Sequence, residues 1–239
     1  MSLHVGTSGW AYPAWKPVFY PEKLAQKKFL QYYSTRLNAV EVNYSFRQFI
    51  KEATLQNWIA ETPEDFKFCV KAHQSITHIR RLKDVDEALT RFLDSIQPLA
   101  AAGKLGPALF QLPPNLKCDT VLFDEFCAKL PRNFQAAFEF RHESWLVDEV
   151  FRILSKHDVA LCFAESDEFQ TPIVLTATYS YYRLRRSEYS PQARREIAER
   201  LARGLQARRE LFAFYKHEER PESALYAEEL LKLAQTAAA

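Results

Sequence analysis

The fold class this sequence predicts is an α/β barrel of parallel strands, and three observations predict it. Eight short apolar stretches alternate with segments patterned as helices along one continuous chain. Four of those stretches share one grammar, apolar residues alternating with charged or small polar ones. These are Val40-Glu41-Val42-Asn43, Phe68-Cys69-Val70-Lys71, Phe138-Glu139-Phe140-Arg141 and Tyr182-Arg183-Leu184-Arg185. A half-exposed sheet would show this period, and so would strands buried on both faces whose last residues point charges into a cleft. Its recurrence on several strands favours the second reading. Finally, the 239 residues contain no repeat, no low-complexity stretch and no linker, and barrels of this kind commonly reach ~250 residues as one unit.

Taken in order, His4-Val5-Gly6-Thr7 reads as a first strand entering the turn Ser8-Gly9-Trp10. No helix follows directly, which argues against a dinucleotide fingerprint. Ala11 to Pro21 is rich in aromatic rings and carries three prolines, so it is an ordered loop that either lids a site or plugs a barrel end. Leu24, Phe29, Tyr33 and Leu37 recur at helical spacing and predict a helix from Glu22 to about Leu37. The second strand is Ala39–Tyr44, with Val40 and Val42 outward and Ala39, Glu41 and Asn43 inward. A helix near Thr54–Glu61 stops at Thr62-Pro63. In the third strand, Phe66 to His73, Phe66, Phe68, Val70 and Ala72 face one way; Lys67, Cys69, Lys71 and His73 face the other.

A basic loop from Ile76 to Lys83 leads to a helix from Val85 to Leu99. The fourth strand, Pro107–Leu112, ends at Pro113-Pro114. A helix over Phe123–Leu130, a fifth strand over Gln135–Arg141 and a helix over Leu146–His157 follow. Val159–Glu165 and Tyr179–Arg185 are the sixth and seventh strands. The helix Pro191–Arg209, the strand Glu210–Lys216 and the helix Ser223–Ala234 close the chain. The count predicts a parallel (β/α)8 barrel, the TIM-barrel architecture, as a single domain spanning residues 1–239.

Composition narrows the function classes. Hydrophobic residues make up 47% and charged residues 26%, and the formal charge is +2 from 32 basic and 30 acidic side chains. That balance supplies no general drive toward nucleic acid or membrane. No apolar run of ~18 residues and no signal-peptide pattern is present, so a cytoplasmic protein is expected. Cys69, Cys118, Cys127 and Cys162 lack C-x-x-C spacing and read as reduced thiols. Six arginines between Arg194 and Arg209 suggest a nucleic-acid stripe. However, Ile197, Leu201 and Leu205 form a buried side and glutamates are interleaved, which favours a solvated outer helix.

In such a barrel the loops after the strands form the open face, so chemistry is sought where strands end. Those ends present Thr7, Ser8 and Trp10; Glu41 and Asn43; Lys71 and His73; Gln111; Glu139, Arg141 and His142; Glu165; Tyr182, Arg183 and Arg185; and Tyr215, Lys216 and His217. Glu41 and Glu139 face each other across the mouth and suit acid–base work if their environments separate their pKa values. Alternatively each only neutralises a cation, Glu139 with Arg141 or Lys71 and Glu41 with Arg183. Lys71 is a candidate amine nucleophile or a salt-bridged structural lysine. Lys71, Arg141, Arg183 and Arg185 together favour an anionic ligand, phosphate or carboxylate. The histidines lack H-x-H or H-x-x-x-H spacing, so neither a metal nor another cofactor is expected.

These residues also carry a family resemblance. Gly6-Thr7-Ser8-Gly9-Trp10 with Tyr12 and Trp15, Phe19-Tyr20-Pro21, Val40-Glu41-Val42-Asn43 with Phe46, and Thr62-Pro63 with Phe66 to Lys71 come in order along the chain. They are followed by Gln111-Leu112-Pro113-Pro114 and Glu139-Phe140-Arg141-His142 with Ser144-Trp145. The chain so resembles the YecE-like family, the prokaryotic domain of unknown function 72. That resemblance implies a TIM barrel and brings no reaction with it. It departs late in the chain: Tyr181-Tyr182-Arg183-Leu184-Arg185-Arg186 stands where the family tends to have Tyr-x-Arg-Leu-His-Gly, and Tyr215-Lys216-His217 stands where asparagines are usual.

Three functions stay open. The first is a metal-independent acid–base hydrolase, lyase or isomerase acting on a small anion such as a sugar phosphate. In it Glu41, Glu139 and Lys71 are the catalytic candidates, and Thr7, Ser8, Trp10, Asn43, Tyr44, Gln111, Arg141, His142 and Arg183 bind substrate. The second is a non-catalytic binding barrel using the same mouth. The third is a phosphodiester-processing barrel, which the near-neutral charge disfavours.

Overall fold

The computed structural model describes residues 2–207, 209–216 and 220–238; Arg208 and His217 lie outside the described residues. Among the described residues, eight strands occur in chain order. They are β1 (Leu3–Thr7), β2 (Ala39–Val42), β3 (Lys67–Val70), β4 (Ala108–Gln111), β5 (Ala136–Glu139), β6 (Ala160–Glu165), β7 (Tyr179–Leu184) and β8 (Glu210–Tyr215). Six form one parallel sheet in the order β1-β8-β7-β6-β5-β4, and β2 and β3 form a parallel pair. Parallel bridges at Ser8–Glu41 and Lys71–Leu109 join the two sets at either side. The helices are α1 (Phe29–Tyr33), α2 (Glu52–Glu61), α3 (Asp86–Ala101), α4 (Thr120–Ala128), α5 (Asp148–Lys156), α6 (Pro191–Gln206) and α7 (Glu222–Ala238). The result is an α/β fold whose curled parallel sheet is flanked by helices.

The strands are buried along nearly their whole length, and the period-2 alternation divides their side chains between two cores. Val40, Val42, Phe68, Val70, Phe110, Phe138 and Leu161 pack outward against the helices. Ala39, Cys69, Leu109, Ala137, Cys162, Tyr181 and Phe214 form a separate inner cluster. Alanines on β2, β5 and β6 leave room that Tyr179 and Tyr181 of β7 and Phe212 and Phe214 of β8 fill. β1 and β2 approach so closely that a Cβ on Gly6 would sit 1.8 Å from the Ala39 carbonyl oxygen. Glycine is therefore required there for steric reasons.

In two stretches of backbone the structure differs in kind from the sequence reading. In place of a helix from Glu22 to Leu37 there is a 3-10 turn at Gln26–Lys28 and then only α1. The Ser34 and Thr35 hydroxyls bond back to the carbonyls of Gln31 and Tyr32, competing with the helical ladder. Within α1, Tyr33 is used as a strut, its hydroxyl bonding Thr7 N at 2.9 Å and the Ala39 carbonyl at 2.9 Å. The expected basic loop also contains a π-type turn, Ser75–Ile79, followed by left-handed Arg81, Leu82 and Asp84. Among the described residues, no helix is long and apolar enough to cross a membrane.

Candidate functional site

Alternation places Glu41 on the inner face of β2, with five donor atoms around its fully buried carboxylate. Oε1 accepts from Ser8 Oγ at 2.8 Å, Asn43 Nδ2 at 3.2 Å and Arg183 Nη2 at 2.7 Å. Oε2 accepts from Tyr181 OH at 2.9 Å and Arg183 Nε at 2.8 Å. Burial alone would push this carboxyl up, but the Arg183 guanidinium and the surrounding donors outweigh it and hold the pKa down at about 2.

Arg183, 1% exposed, reaches from β7 to both buried carboxylates, because its Nη1 also donates to Glu139 Oε2. Glu139 Oε1 accepts from Gln111 Nε2 at 2.8 Å and Arg185 Nη1 at 3.1 Å, with Arg141 Nε at 3.8 Å. Burial raises its pKa, and Arg183 and Arg185 more than reverse that, so Glu139 is also held in the carboxylate form. The parallel register sets Gln111 opposite Glu139 on adjacent strands, which brings the two side chains together.

Gln111 continues the chain of contacts, its Oε1 accepting from Lys71 Nζ at 2.8 Å. The Lys71 ammonium also lies 4.2 Å from the centre of the Phe46 ring. Burial first, and then the field of Arg183, lower its pKa to about 8. Among the described residues, no carboxylate lies within ion-pair distance of this amine.

The structure thus joins Ser8, Glu41, Asn43, Lys71, Gln111, Glu139 and Arg183 into one connected set, with Arg141 at its exposed rim. Four other expected site residues have local bonds elsewhere. Thr7 Oγ1 donates to the Gly9 carbonyl at 2.7 Å. His142 Nδ1 accepts from Ser144 N and caps the 3-10 turn Glu143–Trp145. Tyr44 is exposed and donates to Gln48 Oε1 at 2.8 Å. Trp10 packs edge-on against Trp58. Glu165 is buried on the outward parity of Leu161 and Phe163 and pairs with Arg186 at 3.5 Å. Sequence reasoning did not single out Tyr181, although it shares the parity of Arg183. Tyr182, placed instead among the strand-end candidates, faces outward against Phe163.

Beside this set, a cleft of about 360 Å3 opens at the ends of β5 to β8, with Arg141, Arg185, Glu139 and Lys216 among its lining residues. Among the described residues, no group of three His, Cys, Asp or Glu side chains is placed to hold a metal ion. The arginines of α6 lie apart from the cleft; Arg194, for example, bonds Glu229 and covers the Tyr226 ring.

Parallel strands ending in a buried, charge-rich set beside an open cleft define an α/β protein with its candidate site at the strand C-termini. The chain belongs to the family described as protein of unknown function DUF72, which it matches over residues 4–239. It is 33% identical over 149 residues to the UPF0759 protein YunF of Bacillus subtilis, covering 60% of this chain and 52% of that one. It is 28% identical over 141 residues to the UPF0759 protein YecE of Escherichia coli, covering 59% and 48%. The chain so spans about half the length of these two relatives. A DUF72 family protein of Thermotoga maritima has a crystal structure that superposes with a TM-score of 0.86 at 26% identity, covering 98% of this chain and 100% of that one.

Proposed function

We propose that this protein binds a small anion, phosphate or carboxylate, at the strand C-termini and carries out acid–base chemistry on it. The observation that carries the reading is a surplus of cations. Arg141, Arg183 and Arg185 converge on Glu41 and Glu139, and Lys71 joins them through Gln111, so four cations of the described set meet two carboxylates. Among the described residues, adding the neighbouring Glu165, Glu168, Arg186 and Lys216 leaves the surplus unchanged, two carboxylates against two cations. Such a concave set is completed by a bound anion.

On this reading Glu41 and Glu139 are the counterions that orient Arg183 and Arg185. Their lowered pKa values and full sets of donors suit that role better than proton transfer at neutral pH. Lys71 takes the proton-moving role, as its pKa of about 8 lies near the working range of a general base or acid. The reading takes the eight strands as one closed ring in a single domain, supported by the bridges at Ser8–Glu41 and Lys71–Leu109. A reducing, cytoplasmic setting is part of it, supported by four free cysteines.

Thermal melts test the reading. Phosphate, sulfate or a small carboxylate should raise the melting temperature of the wild type, with a ligand at ten times its Kd adding about 1.4 kcal/mol. Arg141→Met should fold as well as the wild type, since its side chain is 45% exposed, and should respond less to the anion. A wild type that no anion stabilises would return these residues to the scaffold.

A further inference from the structure

We propose that Lys71 is a covalent nucleophile that forms an imine with an aldehyde or ketone carrying an anionic group. The proposal rests on the anion site described above and adds the substrate class that its lysine selects. A half-buried lysine ordinarily has a carboxylate partner. Lys71 has in its place a neutral amide oxygen, Gln111 Oε1 at 2.8 Å, and the face of Phe46.

The amide orientation is set from the other side, because Gln111 Nε2 donates to Glu139 Oε1 at 2.8 Å. The buried carboxylate therefore turns the amide oxygen toward the amine while remaining one residue removed from it. An acceptor without charge can align the amine while favouring its ammonium form less than a carboxylate would. Burial and the field of Arg183 disfavour the ammonium form, and the opposing pull of Glu41 and Glu139 does not make up for them. At neutral pH an amine in this setting has a larger neutral fraction than an ordinary lysine.

The reaction balances without an oxidant, reductant or metal. The neutral nitrogen attacks the carbonyl carbon, forming the C–N bond as the C=O π pair moves to oxygen. The oxygen takes up protons, two in all, balanced by the two lost from the amine nitrogen. It leaves as water while the nitrogen lone pair closes the C=N bond. Arg185 bonds the same Glu139 oxygen that holds the Gln111 amide, one residue from the amine, so Arg141 and Arg185 would hold the phosphate or carboxylate of a molecule that extends from the cleft to Lys71, making the attack effectively intramolecular.

Reductive trapping tests this. The intact protein is incubated at pH 7 with pyruvate or dihydroxyacetone phosphate and sodium borohydride, and labelled lysines are located by peptide mass spectrometry. Lys71 should be labelled at least tenfold faster than exposed Lys23, and excess inorganic phosphate should suppress labelling at Lys71 alone. Neutral acetone should show a smaller preference for Lys71. In Lys71→Arg the preferential site should vanish while Lys23 labels as before. A wild type that phosphate stabilises but that labels Lys71 no faster than Lys23 overturns the imine and leaves the anion site standing. A wild type neither stabilised nor labelled overturns both. Equal preference for Lys71 with acetone and pyruvate overturns the proposal as well, because no anionic group would then be recognised.

Discussion

Lys71 and Glu41 show how position on a strand end becomes protonation state. Both side chains point to the inner face, yet five donor atoms stabilise the Glu41 charge and none of the acceptors around Lys71 is charged. Because the folded state lowers the Lys71 pKa from 10.5 to about 8, the sign of the stability effect follows directly. Between those values the unfolded chain holds a proton that the native chain has released, so this group makes stability rise with pH across that window. Compared with Lys71→Met, the wild type should gain on the order of 1 kcal/mol per pH unit between about pH 8 and 10 in urea denaturation. Parallel curves for the two proteins across that range would show that the amine titrates normally and would remove its candidacy as base or nucleophile.

At the scale of elements, the meeting of β1 with β2 fixes the end of the site, since Ser8 on one side reaches Glu41 on the other. Gly6→Ala should drive a methyl into the Ala39 carbonyl. It should cost on the order of 3 kcal/mol, as overpacked backbones do. A thermal melt of that variant within one degree of the wild type would mean that the strands part freely. Elements of this kind were legible in the sequence wherever a strand is buried on both faces, because parity then sorts Val40 from Glu41 and Phe138 from Glu139 without knowledge of the partner. Pairing across the mouth was less legible. The Glu41–Arg183 pair was among the alternatives, but the second reach of Arg183, to Glu139, and the Tyr181 bond to Glu41 depend on β7 lying opposite β2. Local hydrogen bonds also escaped the pattern. Nothing in helical periodicity shows the Ser34 and Thr35 back-bonds that end α1, or the Ser144 contact that occupies His142.

For the molecule as a whole, the near balance of 32 basic and 30 acidic side chains conceals a strong internal asymmetry. The stability of the fold is tied to a few carboxylates whose protons the native state refuses. Glu41 and Glu210 are each lowered to about 2, the first at the site and the second at the opposite strand ends, beside His4 and Gln135. A carboxyl depressed in the folded state stabilises above its unfolded pKa and loses that contribution as pH falls toward the folded value. Stability should therefore fall from about pH 4.5 toward pH 2, with Glu41 alone contributing on the order of 3 kcal/mol of the loss. Glu41→Gln separates this from general charge repulsion. At pH 7 it should be less stable by about 3 kcal/mol, because Arg183 keeps only one buried counterion. Its acid limb should be shallower than that of the wild type, so that the two stability curves converge near pH 2. Curves that stay a constant distance apart down to that pH would show that the Glu41 carboxylate titrates alike in the folded and unfolded chains, and the buried Arg183 bridge would lose its place at the centre of the site.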